Sequence, residues 1–170
     1  MLSWRPTDLL DAPRWQILLQ ALDSVATSLD LSVCWMAFHQ HQDGPLLDTL
    51  VEQKLVPSTL LARSTTVIPR SLDHVFELVT TARLVLPMRL HALILARLVG
   101  CPMAALSYDP KVDAAAAMAQ VPCHRLNALP KAEQLAAQWM AEVDQDADRA
   151  VIKRIQSEAS AHGDLLKRWI

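Results

Sequence analysis

The chain has 170 residues, with 16 Lys and Arg against 18 Asp and Glu, a formal net charge of −2, and is 52% hydrophobic and 20% charged. That is the profile of one globular domain long enough to bury a core. It lacks the cationic excess and the dense Lys/Arg cluster with which nucleic-acid binders neutralise phosphates, so nucleic acid is not an expected partner.

Glycine usage excludes more. Gly44, Gly100 and Gly163 are all there are, where average usage would give roughly twelve. Neither a Walker A loop nor a GxGxxG turn can be written with glycines so far apart, so any anion site must use side chains and helix ends. Cys34, Cys101 and Cys123 are odd in number and carry no CxxC spacing, which suggests neither a disulfide framework nor a zinc site and suits a reducing cytoplasm. No segment offers about 20 consecutive apolar residues, and charges and a proline interrupt the start where a signal peptide would be apolar. A cytoplasmic protein without a transmembrane segment is expected.

Short apolar runs alternate with helix-length amphipathic segments, which predicts an α/β domain with a parallel, Rossmann-like sheet flanked by helices. In chain order, Met1 to Trp4 forms a first short strand. Pro13 to Leu29 forms a helix with Asp11 as its cap. Leu31 to Phe38 forms a second strand, apolar on both faces, followed by a polar loop from His39 to Asp43. Pro45 to Gln53 is a helix, Leu60 to Pro69 a weak strand or irregular piece, and Ser71 to Thr81 a helix opened by Ser or Asp. Leu84 to Met88 is a strand running into a helix over Arg89 to Val99, which Gly100 and Pro102 stop. Met103 to Ser107 is the next strand, and Asp109 with Pro110 opens another helix as N-cap and first helical residue. Residues 131–170 read as two charged amphipathic helices closing a single domain. Trp4, Trp15 and Trp35 read as packing residues.

Ligands of open parallel sheets bind beyond the carboxyl ends of the strands. The residues there are cationic: Arg5 after the first strand, His39 and His41 after the second, Arg89 and His91 after the fourth, Lys111 after the fifth. A cation at a helix N-terminus opposes the macrodipole, as Arg89 and Lys111 would, and an anionic ligand reverses the sign of that interaction. Both side chains could equally bend away into water. Beside a helix N-terminus and Arg89, His91 would have a depressed pKa suited to acid/base work, although a structural histidine is an equal reading. His39, His41 and Asp43 alternate as metal ligands can, but with no further ligand nearby a polar loop is the better reading and no metal is expected. His74, His124 and His162 are assigned nothing.

Met88-Arg-Leu-His-Ala-Leu-Ile-Leu-Ala96, Gly100-Cys-Pro102 and Leu106-Ser-Tyr-Asp-Pro-Lys-Val112 together resemble the polysaccharide pyruvyl transferase family of the bacterial cell-wall type, with a cyanobacterial flavour. Ser3-Trp-Arg-Pro6 and Trp35 to Asp43 are similar to the first two strands of that family's C-terminal half. The resemblance implies the C-terminal lobe of a GT-B-like transferase that moves the pyruvyl group of phosphoenolpyruvate onto a sugar of a cell-wall polysaccharide or exopolysaccharide as a ketal. It implies phosphoenolpyruvate as donor with no other cofactor, and a sugar or lipid-linked glycan as acceptor. His91 carries over as catalytic, with Arg89, Lys111, Arg5, His39 and Asp43 as substrate-binding residues. The family's glycine-rich N-terminal lobe has no counterpart here, so this half is expected to be incomplete alone, a separate N-terminal lobe being a possible partner. Two other readings stand beside it: a nucleotide-sugar glycosyltransferase lobe, and a non-catalytic partner domain.

Overall fold

A computed structural model describes residues 1–145, 149–155 and 157. Strands and helices alternate: β1 (Leu2–Ser3), α1 (Ala12–Ser28), β2 (Val33–Met36), α2 (Gln40–Asp43), α3 (Leu46–Glu52), α4 (Ser58–Ala62), β3 (Ser64–Val67) and α5 (Leu72–Thr80). They continue with β4 (Leu86–Pro87), α6 (Leu90–Leu98), β5 (Ala105–Ser107), α7 (Pro110–Ala119), β6 (Cys123–Arg125), a 3-10 turn (Leu126–Ala128) and α8 (Ala132–Val143). The expected α/β class with a parallel sheet is what forms. Four strands pair in the order β3-β2-β1-β4, all parallel. One parallel bridge, Val85 to Met103, joins β4 to the pair β5-β6. The resulting order 3-2-1-4-5-6 is compatible with a doubly wound, Rossmann-like sheet and reverses direction between β1 and β4.

Alternation along the strands feeds two cores. Leu2, Trp4, Val33, Trp35, Leu86 and Leu106 face α1, α3, α4 and α8. Met36, Val85, Met103 and Ala105 face α5, α6 and α7, as the period of two requires. Trp4 sits at the centre of an aromatic group, with ring centroids 6.0 Å from Trp15, 5.6 Å from Trp35 and 6.5 Å from Trp139. The packing role read for the first three tryptophans holds, and Trp139 of α8 joins them. The Trp35 indole donates to the Ser64 hydroxyl at 3.0 Å, fastening the edge strand β3.

Local chemistry sets the helix limits. The Asp11, Ser71 and Asp109 side chains accept from the first-turn N–H groups of α1, α5 and α7, as N-caps do. Gly100, at φ 74°, ends α6; its N–H meets the Arg97 carbonyl, and Cys101 N–H meets Ala96, the Schellman pattern.

The strand spans shrink relative to expectation. Leu31–Phe38 forms a strand only over Val33–Met36, Leu84–Met88 over Leu86–Pro87 with the bridge at Val85 before it, and Met103–Ser107 over Ala105–Ser107 with the bridge at Met103 before it. Leu60–Pro69 holds the end of α4 and then β3. The polar loop His39–Asp43 is corrected to a short helix, because the Asp43 carboxylate reaches back to accept the His39 N–H at 3.0 Å. Strand β6 was not anticipated. Of the two closing helices, α8 forms as read, while most of the second, with His162, lies outside the described residues. Among the described residues no helix is long and apolar enough to cross a membrane.

Candidate functional site

The carboxyl ends of β1, β2, β4 and β5 carry Arg5, the His39–Asp43 turn, Arg89 and Tyr108. Their side chains cross the point where the strand order reverses, in opposite directions. Arg89 follows β4, yet its Nη2 pairs with Asp43 Oδ1 and donates to Gln42 Oε1 at 3.2 Å, both after β2, so it spans the end of β1. Arg5 follows β1, yet its guanidinium carbon lies 5.2 Å from the Tyr108 ring centroid, and Nη1 is 3.4 Å from the Tyr108 hydroxyl, past the end of β4.

The two arginines differ in how firmly they are held. The Asp43 and Arg89 side chains are 1% and 11% exposed, a desolvated pair whose attraction is little screened. Asp43 also takes the His39 N–H, so both carboxylate oxygens are occupied. The Arg89 Nε is buried with no hydrogen-bond partner. A buried donor without an acceptor costs about 1–3 kcal/mol. The Ser3 hydroxyl, at the last residue of β1, is buried and unpartnered too.

The other expected site residues do not converge as tightly. His39 and His41 are exposed around α2, with the His39 backbone rather than its ring engaged. His91 is exposed in the first turn of α6, and Lys111 is exposed in the first turn of α7. The N-terminus of α7 already carries a carboxylate, since Asp109 accepts the Lys111 N–H at 2.7 Å. Among the described residues no group of three His, Cys, Asp or Glu side chains is arranged to hold a metal ion.

Tyr108 and Gln42 were missed in the sequence. The signal for Tyr108 was its position as the aromatic residue directly after β5; Gln42 gave none.

A second polar cluster lies under β6. Asp113 of α7 receives Arg125 Nε at 3.1 Å and the Cys123 thiol at 3.7 Å. The Ser107 hydroxyl and then Arg125 hold the Asp113 carboxyl below its usual range. Burial, and after it the Asp113 charge, pushes the Cys123 thiol up to about 11, which makes a nucleophilic role poor chemistry. On the other face of β6, burial lowers the His124 pKa, and its Nε2 has no partner.

Compared with protein-family models, with characterised proteins and with solved structures, the chain finds no match.

Proposed function

We propose that the carboxyl edge of the sheet binds the phosphate and carboxylate of phosphoenolpyruvate, and that the chain is the donor-binding, C-terminal lobe of a GT-B-like polysaccharide pyruvyl transferase. The observation that carries this reading is the buried, unpartnered Nε of Arg89 at the strand-order reversal. An acceptor oxygen from a small anion is what that donor lacks, and Arg5 and Lys111 add cations after β1 and β5 on the same edge of the sheet. The resemblance over Met88–Ala96 and Leu106–Val112 names the anion.

In this reading Asp43 orients Arg89 instead of touching the donor, because a carboxylate beside a trianionic ligand would repel it. His91, exposed at the start of α6, is the acid/base group. The enol carbon C3 gains a proton and C2 becomes oxocarbenium-like. One sugar hydroxyl adds at C2, the bond from C2 to the phosphate oxygen breaks, and a second hydroxyl closes the ketal. Of the two hydroxyl protons, one is balanced by the new methyl group and the other by the released phosphate. The acceptor, a sugar or lipid-linked glycan of a cell-wall or surface polysaccharide, would face the edge from a separate N-terminal lobe.

Calorimetric titration with phosphoenolpyruvate, inorganic phosphate and a nucleoside diphosphate tests this. Saturable phosphoenolpyruvate binding, weakened by about 1.5 kcal/mol in Lys111→Ala and in Arg5→Ala, is expected for loss of charged hydrogen bonds. Arg89→Ala is informative only in an Asp43→Asn background, since alone it strands a buried carboxylate. A response to the nucleoside diphosphate without one to phosphoenolpyruvate would favour the glycosyltransferase reading and overturn this one.

A further inference from the structure

We infer that Tyr108 is a positioning residue for the anion site, holding the Arg5 guanidinium in one plane beyond the end of β4 so that its free edge faces an incoming anion; this rests on the anion-binding reading above.

Tyr108 can do this because it is itself fixed. It directly follows β5, precedes the capping Asp109, and packs partly buried against both hydrophobic cores. Arg5 has no such support of its own. It lies half-buried in the irregular segment after β1, beside Pro6, and its other bond, Nε to the Pro6 carbonyl, is 3.3 Å long. At 3.3 and 3.4 Å both of its hydrogen bonds lie beyond the usual 2.7–3.2 Å range. No carboxylate pairs with Arg5 among the described residues. Contact with the Tyr108 ring, over which its Cζ lies 5.2 Å from the centroid, is therefore what restrains the guanidinium.

That arrangement leaves Nη2, with two N–H donors for a carboxylate or phosphate oxygen, without a protein partner among the described residues. A side chain already held in its binding geometry loses less freedom when a ligand arrives. Arg89 is locked by a carboxylate and Arg5 is held by an aromatic ring, so of these two arginines Arg5 is the one without a carboxylate partner among the described residues.

The test is a double-mutant cycle on binding of phosphoenolpyruvate and of inorganic phosphate, using Tyr108→Phe, Tyr108→Leu, Arg5→Ala and Arg5→Ala/Tyr108→Leu. Tyr108→Phe keeps the ring and should stay within about twofold of the parent. Tyr108→Leu keeps apolar bulk but no π face and should weaken binding about three- to fivefold, the fold-change of an exposed cation–π contact. In the Arg5→Ala background, Tyr108→Leu should have no further effect. Equal losses in both backgrounds would mark Tyr108 as merely structural and overturn the inference, as would unchanged or tighter binding in Tyr108→Leu. If the parent protein binds neither anion, the anion-binding reading falls and this inference with it. If the parent binds and the cycle is additive, only the role of Tyr108 falls. Upfield ring-current shifts of the Arg5 side-chain protons, lost in Tyr108→Leu and kept in Tyr108→Phe, report the stacking without any ligand.

Discussion

Asp43 and Arg89 form a buried ion pair that ties the turn after β2 to the start of α6 across the end of β1. The pair joins residues 46 apart in sequence. One Asp43 oxygen serves Arg89 and the other the N–H of His39, so a single carboxylate both folds α2 and aims the arginine. Each oxygen of the Asp43 carboxylate therefore already has one partner within the protein.

Truncating Asp43 should therefore be costly. Asp43→Ala leaves Arg89 buried without its counter-charge, for which about 3–5 kcal/mol is expected. A double replacement by apolar residues of similar volume, Asp43→Leu with Arg89→Met, should recover much of that loss, because neither charge is then stranded. Urea unfolding of the three proteins checks both. A loss below about 1 kcal/mol in Asp43→Ala would place the pair in the class of solvated surface bridges.

His124 predicts a pH dependence. Burial lowers its pKa in the folded state below the ordinary 6.5, so the unfolded chain binds the proton more readily. Stability is then fully present above pH 6.5 and falls as the pH drops from 6.5 toward the folded value. His124→Leu should reduce the slope below pH 6.5. Thermal unfolding from pH 8.5 to 5.5 measures it, and an unchanged slope below 6.5 in His124→Leu would refute the assignment.

Features that depend on a few neighbouring residues are legible in the sequence. Asp11, Ser71 and Asp109–Pro110 mark helix starts, and Gly100 a helix end, because caps are satisfied within three or four residues. The apolar core of β2 was legible for the same reason. Strand β6, Cys123-His-Arg125, was not: three residues at a sheet edge show no alternation to read. Helix α4 was hidden by its brevity. The candidate site was legible as a set of cations at strand ends, but not as an arrangement. That Arg89 turns toward Asp43 and Arg5 toward Tyr108 follows from strand order, which links residues 46 and 103 apart.

The thiol of Cys123 should be nearly inert in the folded protein. With its pKa pushed up to about 11, its thiolate at pH 8 is about two orders of magnitude scarcer than that of a free cysteine. Asp113→Asn removes the negative charge beside it, and the midpoint of its alkylation rate against pH should shift downward. Iodoacetamide labelling followed by mass spectrometry reads this site by site. A faster rate with an unshifted midpoint would mean that the substitution merely opened β6.

Among the described residues three non-glycine positions hold left-handed backbone: Asp30 (φ 48°), Lys54 (φ 58°) and Gln120 (φ 54°). Each follows a helix and repeats the pattern of Gly100. Lys54 N–H meets Val51 and Leu55 meets Leu50; Gln120 meets Ala117 and Val121 meets Ala116. This is how a chain so poor in glycine ends its helices, and it carries a cost, since a Cβ in that region is strained by about 1–2 kcal/mol. Lys54→Gly and Gln120→Gly should each relieve it, offset by the greater freedom that glycine gives the unfolded chain, about 0.4–1 kcal/mol. A net gain of up to about 1 kcal/mol per site follows, additive because the two helices are distant in the fold. Asp30 is a poorer choice, as its carboxylate pairs with Arg63 at 2.8 Å. Gly100→Ala, the reverse change at φ 74°, should destabilise by about 1–2 kcal/mol. Denaturant midpoints of the four proteins decide it: stabilisation at 54 and 120 with loss at 100 is the expected set, and destabilisation at Lys54 or Gln120 would mean that their side chains contribute more than the backbone strain costs.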